Sequence, residues 1–428
     1  MSKIIRFEAF LRIPNFFYRS VGVDLWNTDG GPLQDAVFYF GLLNVNVWLL
    51  SELVFAVLMV SKNFIQATMT LSYAGFVLVG SIKMYFMWRK KADMTRFLQL
   101  MNDIFPRTEQ QQKIMHLRRH LRQSTIVMSG FAMMFMVLIW TYNLYPYMQR
   151  QIYDRLLDVR SVNKTLPYES YIPWNWHEHW TFYLYYTLQS IAGYHSASAQ
   201  IASDLVLCAM ATQMIMHYEY VAQKITEYQP QVGADSGSKT ELSNDKELNS
   251  QSFATLEHEA YCKDMQFLCD IIAYHANVLS LSDIMNEVLG VPLLVNFMTS
   301  SFVLCFVGFQ MTMDAEPDYM VKLFLFLFSS LVQICLICQY GQSLIDSSSN
   351  IAHAIYNHDW VHSHVHYQRM LVLVAARAQK PAMLQATSFV RISRGTITDN
   401  STFYHLTISI RLTSPLPNFL RFTGKEGC

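Results

Sequence analysis

Six stretches of this chain run for the width of a lipid bilayer almost without a charge. Residues 126–145 carry none over 20 positions, and 288–313 none over 26. Residues 36–60 hold only Glu52, 67–88 only Lys83, 319–345 only Lys322, and 180–217 only Asp204. A helix rises about 1.5 Å per residue, so about 20 apolar residues cross a hydrocarbon core ~30 Å thick. Backbone polar groups inside lipid must pair within their own segment, so each stretch is expected to be a helix. The fold class is therefore all-α. It is a polytopic membrane bundle with spans at about 36–60, 67–88, 124–146, 179–214, 287–313 and 319–345.

The basic residues orient the bundle. The connections 1–35, 89–123, 218–270 and 346–380 hold 20 Lys and Arg; the opposite set, 61–66, 147–178 and 314–318, holds 5. Basic connections stay inside, so the N-terminus is placed in the cytoplasm. No stretch near the N-terminus has the form of a cleavable signal, and the first span is expected to direct insertion. Asn163, Lys164 and Thr165 form a sequon in a loop this topology puts outside, which makes Asn163 a candidate glycosylation site. None of the seven cysteines falls in an outer loop, which argues against a disulfide-braced ectodomain. Net charge is zero, so no basic field points to nucleic acid.

Residues 229–250 are rich in Gly, Ser, Asn and charge and read as a flexible loop. Apolar residues at helical spacing on either side predict that the fourth and fifth helices extend into the cytoplasm. After residue 345 a seventh span is expected and does not appear. Pro381 suits a helix start, but 400–410 is too short and too rich in Thr and Ser to cross a bilayer, and Pro415 and Pro417 follow.

No cofactor or metal is expected. His358, His362, His364 and His366 do not share a helix face and lack a completing carboxylate or thiolate, so a solvated cytoplasmic loop is the better reading. His177, Glu178 and His179 stand among Trp174, Trp176 and Trp180, which reads as an interfacial aromatic belt rather than a catalytic cluster. With no nucleophile elbow, phosphate loop or zincin spacing, the chain is not expected to be an enzyme. Of the intramembrane charges, Lys83 and Lys322 lie near span ends and can snorkel. Glu52 and Asp204 are the candidates for buried networks. Aromatic and Met residues crowd the outer halves of the third, fourth and sixth spans. A pocket for a small apolar molecule has this composition, and so does ordinary helix packing.

One part of the chain narrows the choice. Cys338, Gln339, Tyr340, Gly341, Gln342, Ser343 and Leu344, then Trp360, then Gln379, Lys380 and Pro381, then Phe389, Gly395 and Thr396 resemble the C-terminal signature of insect odorant receptors. Phe10, Leu11, Arg12, Ile13 and Pro14, with Gly22 and Trp26, fit the N-terminal pattern. The resemblance covers about residues 1–399. It implies a seven-helix subunit of an odorant-gated cation channel, in the plasma membrane of an olfactory sensory neuron. The subunit would assemble as a tetramer with a shared odorant co-receptor. It also implies subunit contacts through a cytoplasmic anchor, here 256–276, 340–355 and 382–391, with the first half of helix 7 at 382–399. The ligand is a small volatile, bound in the outer half of the bundle. Positions at that depth are Tyr73, Phe76, Phe135, Ile139, Tyr142, Tyr183, Tyr186 and Phe328.

The chain departs from that family after Asp399. The family continues with an apolar half-helix lining the pore, whereas 400–428 is polar and proline-interrupted, as an alternative exon, a retained intron or a gene-model error would make it. This tail predicts a chain that lacks the pore-lining half-helix and either folds poorly or does not conduct. Three other readings compete: an insect taste-type receptor, with the same architecture; a G-protein-coupled receptor, which needs the N-terminus outside; and a membrane transporter or lipid-modifying enzyme, which the absence of mid-depth helix-breaking glycines and of paired catalytic polar groups argues against.

Overall fold

A computed structural model of the chain describes residues 4–26, 31–150, 165–174, 180–231, 248–311, 317–387 and 390–396. Asn163, residues 175–179 and the tail 400–428 lie outside the described residues. Ten helices and one short hairpin are described: α1 Glu8–Ser20, α2 Pro32–Met59, α3 Phe64–Arg89, α4 Lys91–Asp103, α5 Glu109–Ile114, α6 Leu117–Arg150, α7 Thr181–Glu227, α8 Leu248–Met311, α9 Pro317–Tyr356, α10 Val365–Ala378, β1 Leu384–Ala386 and β2 Val390–Ile392. Six of them, α2, α3, α6, α7, α8 and α9, are long and apolar enough to cross a membrane.

Their ends follow local chemistry. Pro32 sits in the first turn of α2, where no intrahelical N–H is needed. Asn63 caps α3 by accepting the Gln66 N–H. Thr108 and Gln111 close α5 with a reciprocal capping box.

Helix α7 is the central strut. Every residue from 195 to 218 is buried, and its small residues let neighbours approach closely. A Cβ on Gly80 of α3 would come within 2.8 Å of the Ser196 Cα. By contrast, Leu43, Leu50 and Val57 on α2 and Met133, Val137 and Trp140 on α6 are exposed, the pattern expected of apolar faces turned toward lipid. As the sequence predicts, α7 and α8 run well past the membrane into the basic end of the bundle, where α1, α4, α5, α10 and the hairpin pack.

Two sequence expectations fail at this end. The sequence predicts the first half of helix 7 over 382–399, starting at Pro381; 388–389 and 397–399 lie outside the described residues, and of the rest only 394–396 are helical. Instead β1 and β2 pair antiparallel, Leu384 opposite Ile392. The helix in this region is α10, which stops before Pro381, where proline's missing N–H and fixed φ favour an end over a beginning. Gly341 of α9 makes room for the hairpin, because a Cβ there would lie 2.6 Å from the Ile392 carbonyl oxygen. Asn286 of α8 holds it: its Nδ2 donates to the Met383 carbonyl at 2.9 Å, and its Oδ1 accepts the Gln385 N–H at 3.0 Å.

The histidine stretch is not simply a solvated loop either. His358 is buried, 2.9 Å from the Tyr367 hydroxyl. It stacks against Tyr228, whose ring lies 3.6 Å from Phe267 at 4°. His364 accepts the His366 N–H and caps α10. The polar letters of this stretch hide a clasp joining the α7 end, α8 and α10.

Candidate ligand site

The outer half of the bundle closes around a small cavity of about 30 Å³. Helix α3 contributes Tyr73, Phe76 and Val77, α6 contributes Leu138, Ile139 and Tyr142, α7 contributes Gly193, and α9 contributes Phe326. The ninth lining residue, Tyr168, comes from the outer loop 165–174. The rings form one cluster. Tyr73 lies edge-on to Tyr142 at 5.5 Å and to Phe326 at 6.1 Å, and Phe76 lies 5.7 Å from Phe326. Edge-to-face pairs at these separations each add about 0.5–1.5 kcal/mol beyond area burial.

Tyr168 is a lid held in place by backbone and side-chain bonds. Gln189 of α7 accepts the Tyr168 N–H at 3.2 Å and donates to its carbonyl at 2.9 Å. Three residues on, Ser51 of α2 donates to the Tyr171 carbonyl at 2.7 Å and its own carbonyl accepts the Tyr171 N–H at 3.2 Å. Trp174 donates from its indole to the Tyr185 hydroxyl at 3.0 Å. Gly193 makes the lid possible, since a Cβ there would lie 2.7 Å from the Tyr168 hydroxyl.

The lining is apolar apart from three phenolic hydroxyls. Tyr142 uses its hydroxyl to donate to the Lys322 carbonyl at 3.0 Å. A space of about 30 Å³ takes one or two waters, so a larger guest has to part the aromatic rings or lift the lid. Such a site selects mainly by shape and apolar area, with hydroxyls to orient one polar group.

Four of the eight residues chosen by depth line this cavity: Tyr73, Phe76, Ile139 and Tyr142. The other four do not. Phe135 is buried one turn deeper on α6 against Phe131. Tyr186 donates to the Asn143 carbonyl. Tyr183 and Phe328 are 59% and 49% exposed on the outside of the bundle. Depth alone carries no information about which face of each helix turns inward. Sequence reading missed Val77, Leu138, Gly193, Phe326 and Tyr168. For Tyr168 the one available signal was a run of aromatic and apolar residues in an otherwise polar outer loop, Tyr168, Tyr171 and Ile172.

Below the cavity lies the other feature the sequence misplaced. Lys83 does not snorkel. It is fully buried, and its Nζ lies 2.7 Å from Asp204 Oδ1. Asn296 of α8 donates to Asp204 Oδ1 at 3.0 Å and Gln333 of α9 to Oδ2 at 2.5 Å. Asp204 is thus a buried network residue, as the sequence predicts. Glu52 is buried too, with its Oε2 unbonded among the described residues.

Fold and cavity define a class: a multi-pass helical membrane protein enclosing an aromatic cavity in the outer half of its bundle. The sequence from 63 to 399 matches the family model for 7tm odorant receptors. Odorant receptor 85c of Drosophila melanogaster is 40% identical over 396 residues, covering 91% of this chain and 95% of that protein. Odorant receptor 85b of the same fly is 38% identical over 398 residues, covering 92% and 95%. The solved insect olfactory receptor OR5 from Machilis hrabei superposes with a TM-score of 0.74, at 13% identity, over 94% of this chain and 97% of that one. OR5 in complex with eugenol gives 0.71 at the same identity and coverage. The chain belongs to the 7tm odorant receptor family, whose members are receptors and not enzymes.

Proposed function

We propose that the chain is an olfactory receptor subunit that binds a small volatile in the Tyr73–Tyr142–Tyr168–Phe326 cavity. Together with an odorant co-receptor subunit, in a hetero-oligomer with the stoichiometry of a tetramer, it gates a cation channel in the plasma membrane of an olfactory sensory neuron. The observation that carries this reading is the cavity itself: aromatic, closed by a pinned loop residue, and shared by four helices. OR5 has been solved with eugenol, a small phenol, and the mixture of apolar rings and hydroxyls here suits molecules of that chemistry once the rings part. Binding acts by population shift: a ligand that fits the open arrangement better draws the equilibrium toward it. One methylene changes affinity by only about 1–3 kcal/mol, so tuning among small volatiles is expected to be broad.

Expression with a co-receptor subunit in cultured cells tests the reading, using a panel of small esters, alcohols and phenols that includes eugenol. An evoked cation current that Tyr142→Ala abolishes supports it in full. Binding without current, measured as ligand-induced thermal stabilisation, keeps the receptor role and assigns the defect to the polar segment after Asp399. Neither binding nor current with any of the panel overturns it.

A further inference from the structure

The Lys83–Asp204 pair sits where a membrane protein least tolerates charge, and three of the four cavity helices connect to it or carry it. Lys83 follows the cavity residue Phe76 by seven residues on α3, and Gln333 follows Phe326 by seven on α9, which is ~10 Å along each axis. Asp204 lies on α7 beyond Gly193. The fourth participant is different. Asn296 belongs to α8, which contributes nothing to the cavity lining but carries Asn286, the clamp on the hairpin.

We infer that the Lys83–Asp204 pair is the joint through which occupancy of the cavity reaches α8 and the hairpin, a coupling that gives the receptor reading above its internal route. Lys83 and Asp204 are positioning residues: neither lines the cavity, Asp204 acts through Asn296 and Gln333, and Lys83 acts through Asp204.

Stability alone does not require charge here. A buried ion pair roughly breaks even against well-packed apolar residues of similar volume. Directional bonds add something packing lacks. One carboxylate receives donors from α3, α8 and α9, at 2.7, 3.0 and 2.5 Å. Beyond about 3.5 Å such bonds are lost, so a shift of α7 by an ångström re-sorts all three together. Gln333 Nε2 also donates to Asn296 Oδ1 at a long 3.4 Å, so the two amides are already paired with each other and can keep that bond when Asp204 withdraws. Two discrete arrangements linked to two regions are the physical requirement for coupling. Packing of α8 directly along α3 is the competing route; a Cβ on Gly75 would stand 3.8 Å from Thr299.

Hydrogen exchange on the full chain in lipid nanodiscs separates the two routes. A side chain serves as the guest: Val77→Phe, or Ile139→Phe as an independent version, overfills the cavity and lifts the lid. In the otherwise unaltered chain this changes exchange of the amides at 281–296 and 383–387 by about threefold or more. In the K83M/D204L background that response disappears, while the loop 165–174 responds as before. K83L/D204M repeats the test with a second apolar pair should the first fold poorly. An equal response at α8 with and without the ion pair, or no response in either, overturns the inference. Because no odorant is used, failure to find a ligand for the receptor leaves this result intact, and the two outcomes stay distinguishable.

Discussion

The rings of Tyr142 and Tyr168 lie 7° from parallel with centroids 6.2 Å apart, stacking a membrane helix on an outer-loop residue. That stack depends on Gly193, which gives the Tyr168 hydroxyl its space. Gly193→Ala forces the lid outward. Overpacking of this kind weakens the closed lid by about 1–3 kcal/mol, and a guest that has to lift the lid is then expected to bind about tenfold more tightly, since ~1.4 kcal/mol is a factor of ten. Thermal-shift titration of the purified variant checks it; unchanged affinity removes Tyr168 from the site.

The ion pair makes an asymmetric prediction. Lys83→Met alone leaves Asp204 buried with only two amide donors, and breaking a buried pair from one side costs about 3–5 kcal/mol. Adding Asp204→Leu is expected to recover most of that loss. Melting of the solubilised chain followed by size-exclusion chromatography compares the single and double variants; additive losses would contradict the pairing.

On the cytoplasmic side the clasp is sensitive to acid. Burial pulls His358 below the usual imidazole range, against weaker support for its charged form from the Ile225 backbone, Asp359 and Asp264. The folded state therefore resists protonation while the unfolded chain takes up its proton near pH ~6.5. Stability is complete above that pH and declines as pH falls below it. Melting temperature should drop between pH 7.5 and 5.5. His358→Asn should start lower and lose less over the same interval. An equal slope in both proteins would exclude His358 as the source.

Gly341 makes a prediction for the hairpin. A Cβ there collides with the Ile392 carbonyl, so Gly341→Ala is expected to detach β2 from α9 at a cost of about 1–3 kcal/mol. Faster exchange of the amides at 390–392 is the direct reading, with the membrane bundle unaltered.

The six long helices were legible because lipid imposes one rule on every span, and charge-free runs of the right length report it directly. Extensions of α7 and α8 were legible from spacing of apolar residues beyond the membrane. Inward and outward faces were not. In lipid both faces are apolar, so Phe326, which lines the cavity, and Phe328, which faces outward, look alike in the sequence. Lys83 was misplaced for the converse reason: a lysine near a span end looks free to reach water, and only its juxtaposition with Asp204, far along the chain, shows otherwise. The hairpin was missed because three-residue strands carry no periodicity, and Pro381 fits a helix start as well as the loop after a helix.

The account turns on one location. A cryo-electron microscopy map of the full chain, with the panel volatile that stabilises it most, is predicted to show ligand density among Tyr73, Tyr142, Phe326 and Gly193, beneath Tyr168. Density elsewhere in the bundle, with these five residues still closed on one another, would contradict it.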